Sequence, residues 1–282
     1  MPSPRPTTPA TMPTIAAADF IAGMAKGLAV LESFDTQRQR LNATLAAQRT
    51  GLTRAAARRH LLTLAHLGYL ETDGSYYWLS AKVLRFSGSY LASAQLPRTV
   101  MPTLHQMTAL TQDAYSVVVL DEDEVVIVAR SDARYAPRNP LPLHPSSLVQ
   151  NQAQSLAYGL HLGARLPAHA TSTGRVLLAS KPLAELDAWL HGRTLARLTA
   201  KTTTDVAALR SLIDKARTDD HCLAQEEHEL GVTALAVPLR NMKGVTVAAL
   251  NVVSTTEVSP GMLLRERLPL LNDAARALRV ML

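Results

Sequence analysis

Residues Asn42 to Leu79 read NATLAAQRTGLTRAAARRHLLTLAHLGYLETDGSYYWL, and the rest of the chain is best understood outward from them. A short helix is expected at about Asn42–Arg49, stopped at Thr50-Gly51 because glycine readily takes the left-handed conformation that ends a helix. Thr53 reads as the N-cap of a second helix running to about Leu67, which Gly68 closes. Ala47, Gly51 and Ala57 place small residues where the two helices must approach, as a helix-turn-helix requires. Tyr69–Thr72 and Ser75–Leu79 favour strands, and Asp73-Gly74 between them is a strong hairpin signal. A helix-turn-helix followed at once by a hairpin is a winged helix-turn-helix. Upstream, the pattern turns helical from Phe20, with Leu28, Leu31 and Phe34 expected to form one buried stripe.

The faces of the second helix follow from 100° per residue. Ala57, Leu61 and Leu64 cluster toward the core. Ala55, Ala56, Arg59 and Thr63 lie opposite, with Arg54 and Arg58 on one flank and His60 on the other. Alanines beside arginines suit a helix in the DNA major groove, giving close approach plus forks that read guanine or clamp phosphate. The alternative is a solvated basic helix in a protein–protein module, and turn, wing and charge together favour DNA.

The 282 residues are 47% hydrophobic and 18% charged, which is globular and long enough for two domains. No apolar run approaches the roughly 18 residues of a membrane helix. The single cysteine, Cys222, excludes a disulfide framework and fits a reducing cytoplasm. The first 18 residues lack an apolar core for a secretory signal and are expected to be a disordered Pro/Thr/Ala tail. Of the net charge of +6, nearly all lies in residues 1–97, which hold ten Lys/Arg against five Asp/Glu. That balance suits a small basic module bound to a polyanion, though ordinary surface bias would also produce it.

A linker helix is expected at Ala81–Leu96, ending before Pro97. Its apolar residues occupy more than one face, so it suits packing between domains or subunits. Beyond it, the readings are a helix at Pro102–Gln112 and a hairpin of Tyr115–Leu120 with Val125–Arg130 across Asp121–Glu124. A proline-rich loop and a run at Leu156–Leu162 follow. Helices are then expected at Val176–Ala179, Leu183–Leu190 and Val206–Arg217, strands at Gly231–Leu239 and Val245–Val253, and a long C-terminal helix. The fold class is α+β, an antiparallel sheet with helices.

No phosphate-binding loop, dinucleotide fingerprint, nucleophile elbow or zincin motif is present, so no catalytic residue and no cofactor are expected. His221, Cys222, Glu226, Glu227 and His228 are the one cluster with metal-ligand chemistry. Their spacing matches no zinc pattern, and they read as a polar turn beside a strand, with no metal expected. Thr171-Ser172-Thr173-Gly174 opens a helix with three hydroxyls, either as an ordinary cap or as a seat for a carboxylate. Asn251 interrupts the otherwise apolar run Val247–Val253; it either satisfies backbone groups or points into a ligand cavity.

Phe20–Leu31, Gly51–Arg59, Leu67–Leu70, Leu166–Ala179, Glu226–Pro238 and Ala248–Val252 together resemble the IclR-type transcriptional regulators. The resemblance covers about residues 20–282 and is closest to the subgroup governing aromatic-acid catabolism, of the protocatechuate and 4-hydroxybenzoate type. It implies a winged helix-turn-helix joined by a linker helix to a GAF-like effector-binding domain, in a homodimer or tetramer on double-stranded operator DNA, with no membrane partner. It places Thr53, Arg54, Ala55, Ala56, Arg58 and Arg59 at the DNA, with His60 beside them. Near a small carboxylic-acid effector it places Thr171, Ser172 and Gly174; Thr173, Tyr115, Arg130 and Asn251 are further candidates. The expected organisation is a tail at 1–18, the DNA-binding domain at 19–80, the linker at 81–97 and the effector domain at 98–282. One departure is a longer proline-rich segment at about Tyr135–Ser155. An enzyme acting on the small acid, and an effector-independent DNA binder, are the competing readings.

Overall fold

The structure, a computed structural model, describes residues 15–35, 38–131, 161–255 and 258–282. Most of the N-terminal tail, the Tyr135–Ser155 segment and nearly all of the Leu156–Leu162 run lie outside these residues. The chain divides into two compact units, one up to Tyr90 and one from Leu91. Among the described residues, no helix is long and apolar enough to cross a membrane.

The first unit holds α1 (Ala22–Glu32), α2 (Ala43–Thr50), α3 (Arg54–His66), β1 (Leu70–Thr72) and β2 (Tyr77–Leu79). Asn42 caps α2, its Oδ1 accepting from the Thr44 and Leu45 amides at 3.0 Å each. Gly51, at φ 68°, ends it in the left-handed region. Thr53 caps α3, its hydroxyl accepting from the Ala56 amide at 3.2 Å. Ala57, Leu61 and Leu64 are buried as the helical period requires, packed with Val30, Phe34, Leu41, Ala46, Leu70 and Tyr77. The stripe on α1 differs from the sequence reading. Val30 is fully buried and Phe34 nearly so, whereas Leu28 is half exposed, because it lies about 200° around the helix from Val30.

In the wing, Thr72 pairs with Tyr77, so Asp73-Gly74 sits in a four-residue connection rather than a two-residue turn. Asp73 supplies the turn chemistry, its Oδ1 accepting from the amides of Ser75 at 3.0 Å and Tyr76 at 2.8 Å.

The expected single helix Ala81–Leu96 is instead a 3-10 turn (Ala81–Val83), α4 (Leu84–Ser93) and a break at Ala94, where α5 (Gln95–Thr111) begins. Proline explains the misreading. Pro97 stands in the first turn of α5, where no backbone N–H is needed, so it opens the helix instead of stopping one. Pro102 is carried in the interior of the same helix.

The second unit is built on a six-stranded antiparallel sheet in the order β5-β4-β3-β8-β7-β6. Its strands are β3 (Ala114–Asp121), β4 (Glu124–Ser131), β5 (Arg165–Pro167), β6 (Cys222–Gln225), β7 (Val232–Arg240) and β8 (Thr246–Thr255). Strand β6 falls where a polar turn is expected from sequence: Cys222 and Ala224 alternate inward, and only from Glu226 does the chain turn. Helices α6 (Ser172–Ala179), α7 (Leu183–Leu190) and α8 (Val206–Asp219) cover one face of the sheet. Helix α5 and the C-terminal helix cover the other. The latter runs from Pro260 through a π turn at Leu263–Arg267 into α9 (Leu268–Leu278).

Sheet register fixes which side chains share the face beneath α6. Arg130, Ser116, Asn251 and Ala236 are successive cross-strand partners and so form one row on that face. Tyr115, one residue along, belongs to the opposite face.

Candidate functional site

The start of α6 is buried and unusually polar. It follows a 3-10 turn at Ala168–Ala170, and every residue of the helix is buried. Thr171 caps it, accepting from the Gly174 amide at 3.1 Å. The Ser172 and Thr173 amides, in the first turn, have no intrahelical acceptor. Gly174 is there for packing: a Cβ would stand 2.1 Å from the Ala168 carbonyl oxygen.

Between this helix start and the sheet lies a cavity, partly open to solvent. Its walls are Ala170–Thr173, the turn Glu226–Glu229, Ala224 of β6, Val232 and Ala234 of β7, Asn251 and Val253 of β8, and Leu166 of β5. Two buried atoms in these walls have no hydrogen-bond partner among the described residues, Ser172 Oγ and Asn251 Oδ1. An unpartnered buried polar atom costs roughly 1–3 kcal/mol, so two of them on residues that line one apolar-floored cavity would be relieved by a polar ligand.

Of the residues named from sequence, the structure brings Thr171, Ser172, Thr173 and Asn251 together in the cavity wall. It does not bring Tyr115 there. Tyr115 is fully buried on the far face of the sheet, its hydroxyl 2.9 Å from Thr111 Oγ1, and burial pushes its pKa up. The strand alternation put it one residue out of phase. Arg130 lies on the cavity face but stops short of the lining, donating to Ser116 Oγ at 3.2 Å. Gly174 supports the wall without lining it.

Sequence reasoning missed the turn Glu226–Glu229 as a wall. Glu226 pairs with Lys201 and accepts from the Gly231 amide at 3.0 Å; these contacts hold its carboxyl below the ordinary range. Glu227 makes a two-point pair with Arg175, at 2.6 and 2.5 Å, and accepts from the Thr203 amide at 3.0 Å. Arg175 also donates to the His169 carbonyl at 3.0 Å. Burial acts to raise the Glu227 pKa, but Arg175 and Thr203 outweigh it and hold it below the usual value of 4.5. Burial lowers the pKa of His228, helped by neighbouring His169, and raises that of Glu229. Cys222 is buried, which pushes its thiol up to about 11.

Because the Glu227 pKa is depressed on folding, its contribution is complete above the ordinary glutamate value and is lost as pH falls through the folded one. Melting curves from about pH 7 to about pH 3 should therefore bring wild type down toward Glu227→Gln. A gap between the two that stays constant with pH would contradict this assignment.

In the first unit, Thr53, Arg54, Ala55, Arg58 and Arg59 are exposed along one side of α3, joined by Leu62 and Thr63. Among the described residues, Arg54, Arg58 and Arg59 have no ion-pair partner, whereas Arg40 and Arg49 are paired with Asp73 and Asp35. Ala56 is half-buried. His60 is also half-buried, against α1, where a Cβ on Gly27 would stand 3.7 Å from its Nδ1.

Residues 23–74 match the IclR helix-turn-helix domain, and residues 149–280 match the bacterial transcriptional regulator IclR C-terminal domain. The p-hydroxybenzoate hydroxylase transcriptional activator of Acinetobacter baylyi is 50% identical over 93% of this chain and 92% of its own. The chain belongs to the IclR family. A second relative, the Pca operon regulatory protein of Acinetobacter baylyi, is 48% identical over 93% of this chain and 89% of its own. The inducer-binding domain of the PobR transcription factor from Acinetobacter was solved as a double mutant with 3-hydroxybenzoic acid. It superposes with a TM-score of 0.57 at 43% identity, covering 66% of this chain and 98% of that one. The chain is thus a DNA-binding transcriptional regulator of the IclR type, with a winged helix-turn-helix and a separate sheet domain.

Proposed function

We propose that this IclR regulator controls genes for the breakdown of an aromatic acid, and that a hydroxybenzoate-type acid is the signal bound in the second unit. The observation that carries the reading is the pair of unpartnered buried atoms, Ser172 Oγ and Asn251 Oδ1, on two residues that line one cavity at a helix start. A carboxylate at the α6 start would accept from the Ser172 hydroxyl and the free first-turn amides, favoured by the helix dipole. A ring hydroxyl can donate or accept and would meet the Asn251 amide, while Ala234, Val232 and Val253 offer an apolar bed to the ring. The names of the two Acinetobacter baylyi relatives and the acid bound to the PobR domain support this class of ligand.

At the DNA, Arg54, Arg58 and Arg59 of α3 supply cations that have no ion-pair partner among the described residues, Ala55 allows close approach, and Thr53 and Ala56 hold the helix start. The regulator acts in the cytoplasm as a homodimer or tetramer; Phe20, Ile21, Met24 and Leu28, exposed on and just before α1, give a second copy an apolar surface to cover. Effector binding shifts the population of domain arrangements and so the grip on operator DNA. No catalytic step is assigned to it.

Ser172→Ala tests the pocket. Calorimetric titration with 4-hydroxybenzoate should show affinity reduced by about tenfold, or 1.4 kcal/mol, with duplex DNA binding unchanged. Equal loss of both would mark a folding defect and count against the role given to Ser172.

A further inference from the structure

The cavity poses an electrostatic problem. Three glutamates, Glu226, Glu227 and Glu229, stand in its wall, yet the ligand class argued above is an anion. Glu226 is answered by Lys201, an exposed side chain reaching in from outside. Glu227 is answered from within. Arg175 is 1% exposed and Glu227 11%, and the guanidinium meets both carboxylate oxygens. Arg175 projects from the same helix whose start carries Ser172 and Thr173, so one helix presents the ligand-facing donors and the counter-charge of the opposite wall.

We propose that Arg175 is a specificity-determining residue: by pairing with Glu227 it cancels a wall carboxylate and thereby raises the preference of the cavity for an anionic over an uncharged ligand. This rests on the effector reading given above. Arg175 is not among the lining residues, so it acts through Glu227 rather than by touching the ligand. A purely structural role would tie the turn Glu226–Glu229 to α6 and would serve charged and uncharged ligands alike. A charge-cancelling role separates them, because an uncancelled carboxylate in a site of intermediate polarity acts on an anion far more than on a neutral molecule of the same shape.

The test is titration of the full chain at about pH 8 with 4-hydroxybenzoate and with its uncharged amide, 4-hydroxybenzamide. The quantity read is the affinity ratio of acid to amide. Arg175→Met should lower that ratio roughly tenfold or more, by leaving the Glu227 carboxylate without its counter-charge. Glu227→Gln should raise it roughly threefold or more, by leaving Arg175 uncancelled. The double variant should return it close to the wild-type value. If Arg175→Met does not fold, Glu227→Gln decides alone: a raised ratio supports the proposal and an unchanged one overturns it. Acid binding by wild type with a ratio unmoved in the folded variants overturns the proposal but leaves the effector reading standing. Failure of wild type to bind either compound overturns the effector reading, and the proposal with it.

Discussion

Replacing Gly174 with alanine is expected to lower the melting temperature of the second unit by about 6–12 °C. The added Cβ would meet the Ala168 carbonyl oxygen at 2.1 Å and its Cα at 2.4 Å, both backbone atoms that no rotamer change can move. Overpacking costs about 1–3 kcal/mol where side chains can yield, and here the upper end is the starting point. At about 2–4 °C per kcal/mol for a unit of this size, about 3 kcal/mol gives the stated range. The displaced helix start would also carry Ser172 and Thr173 away from the cavity, so hydroxybenzoate binding should be lost in whatever fraction remains folded. Gly23→Ala in α1 is the control, because nothing lies within 4 Å of its Cβ position. A helical Gly→Ala change there should be neutral or stabilising by about 0.5–1 kcal/mol. A shift under about 2 °C for Gly174→Ala would show that α6 can move off the 3-10 turn and would contradict the packing argument.

The double change Arg58→Ala with Arg59→Ala should leave the fold intact and weaken DNA binding. Both side chains are exposed and, among the described residues, unpaired, so no internal interaction is lost. If each neutralises one phosphate, the plot of log affinity against log salt should flatten by about 0.9 per arginine, close to 1.8 for the pair. Affinity for a mixed-sequence duplex at moderate salt should fall at least about tenfold, or 1.4 kcal/mol. The measurement is fluorescence anisotropy across a salt series. An affinity loss with an unchanged slope would assign these arginines to base edges rather than phosphates. No loss at all would remove α3 from the interface.

What could be read from the sequence, and what could not, divides along the range of the interactions involved. The helix-turn-helix is a local device: the left-handed Gly51, the Thr53 cap and the burial of Ala57, Leu61 and Leu64 are all set within a few residues of one another, and all were legible; the Asn42 cap, read as the first residue of its helix, was not. The polar opening of α6 was legible too. Asn251 was conspicuous, but which face it occupies needed the pairing with Ser116 and Ala236. The same dependence on register explains Tyr115, since a strand reveals alternation but not which parity faces the ligand. Arg175 and Glu227 stand 52 residues apart, and no local pattern joins an arginine inside an apolar helix to a glutamate in a polar turn. Glu226, Glu227 and His228 therefore read as a polar turn beside a strand, although the fold makes them part of a cavity wall. Pro97 misled for a different reason: proline stops one helix and opens another, and only the geometry at Ala94 distinguishes the two.

The most direct test of the central claim is a thermal-shift titration of the full chain with 3- and 4-hydroxybenzoate, alongside short-chain carboxylic acids. Saturating ligand at about 100 times its Kd adds about 2.7 kcal/mol to the unit that binds it. A rise of several degrees for a hydroxybenzoate and none for the aliphatic acids is the expected result. A flat response to every acid, from protein that still binds duplex DNA, would contradict the assignment of the cavity beneath α6 as an aromatic-acid site.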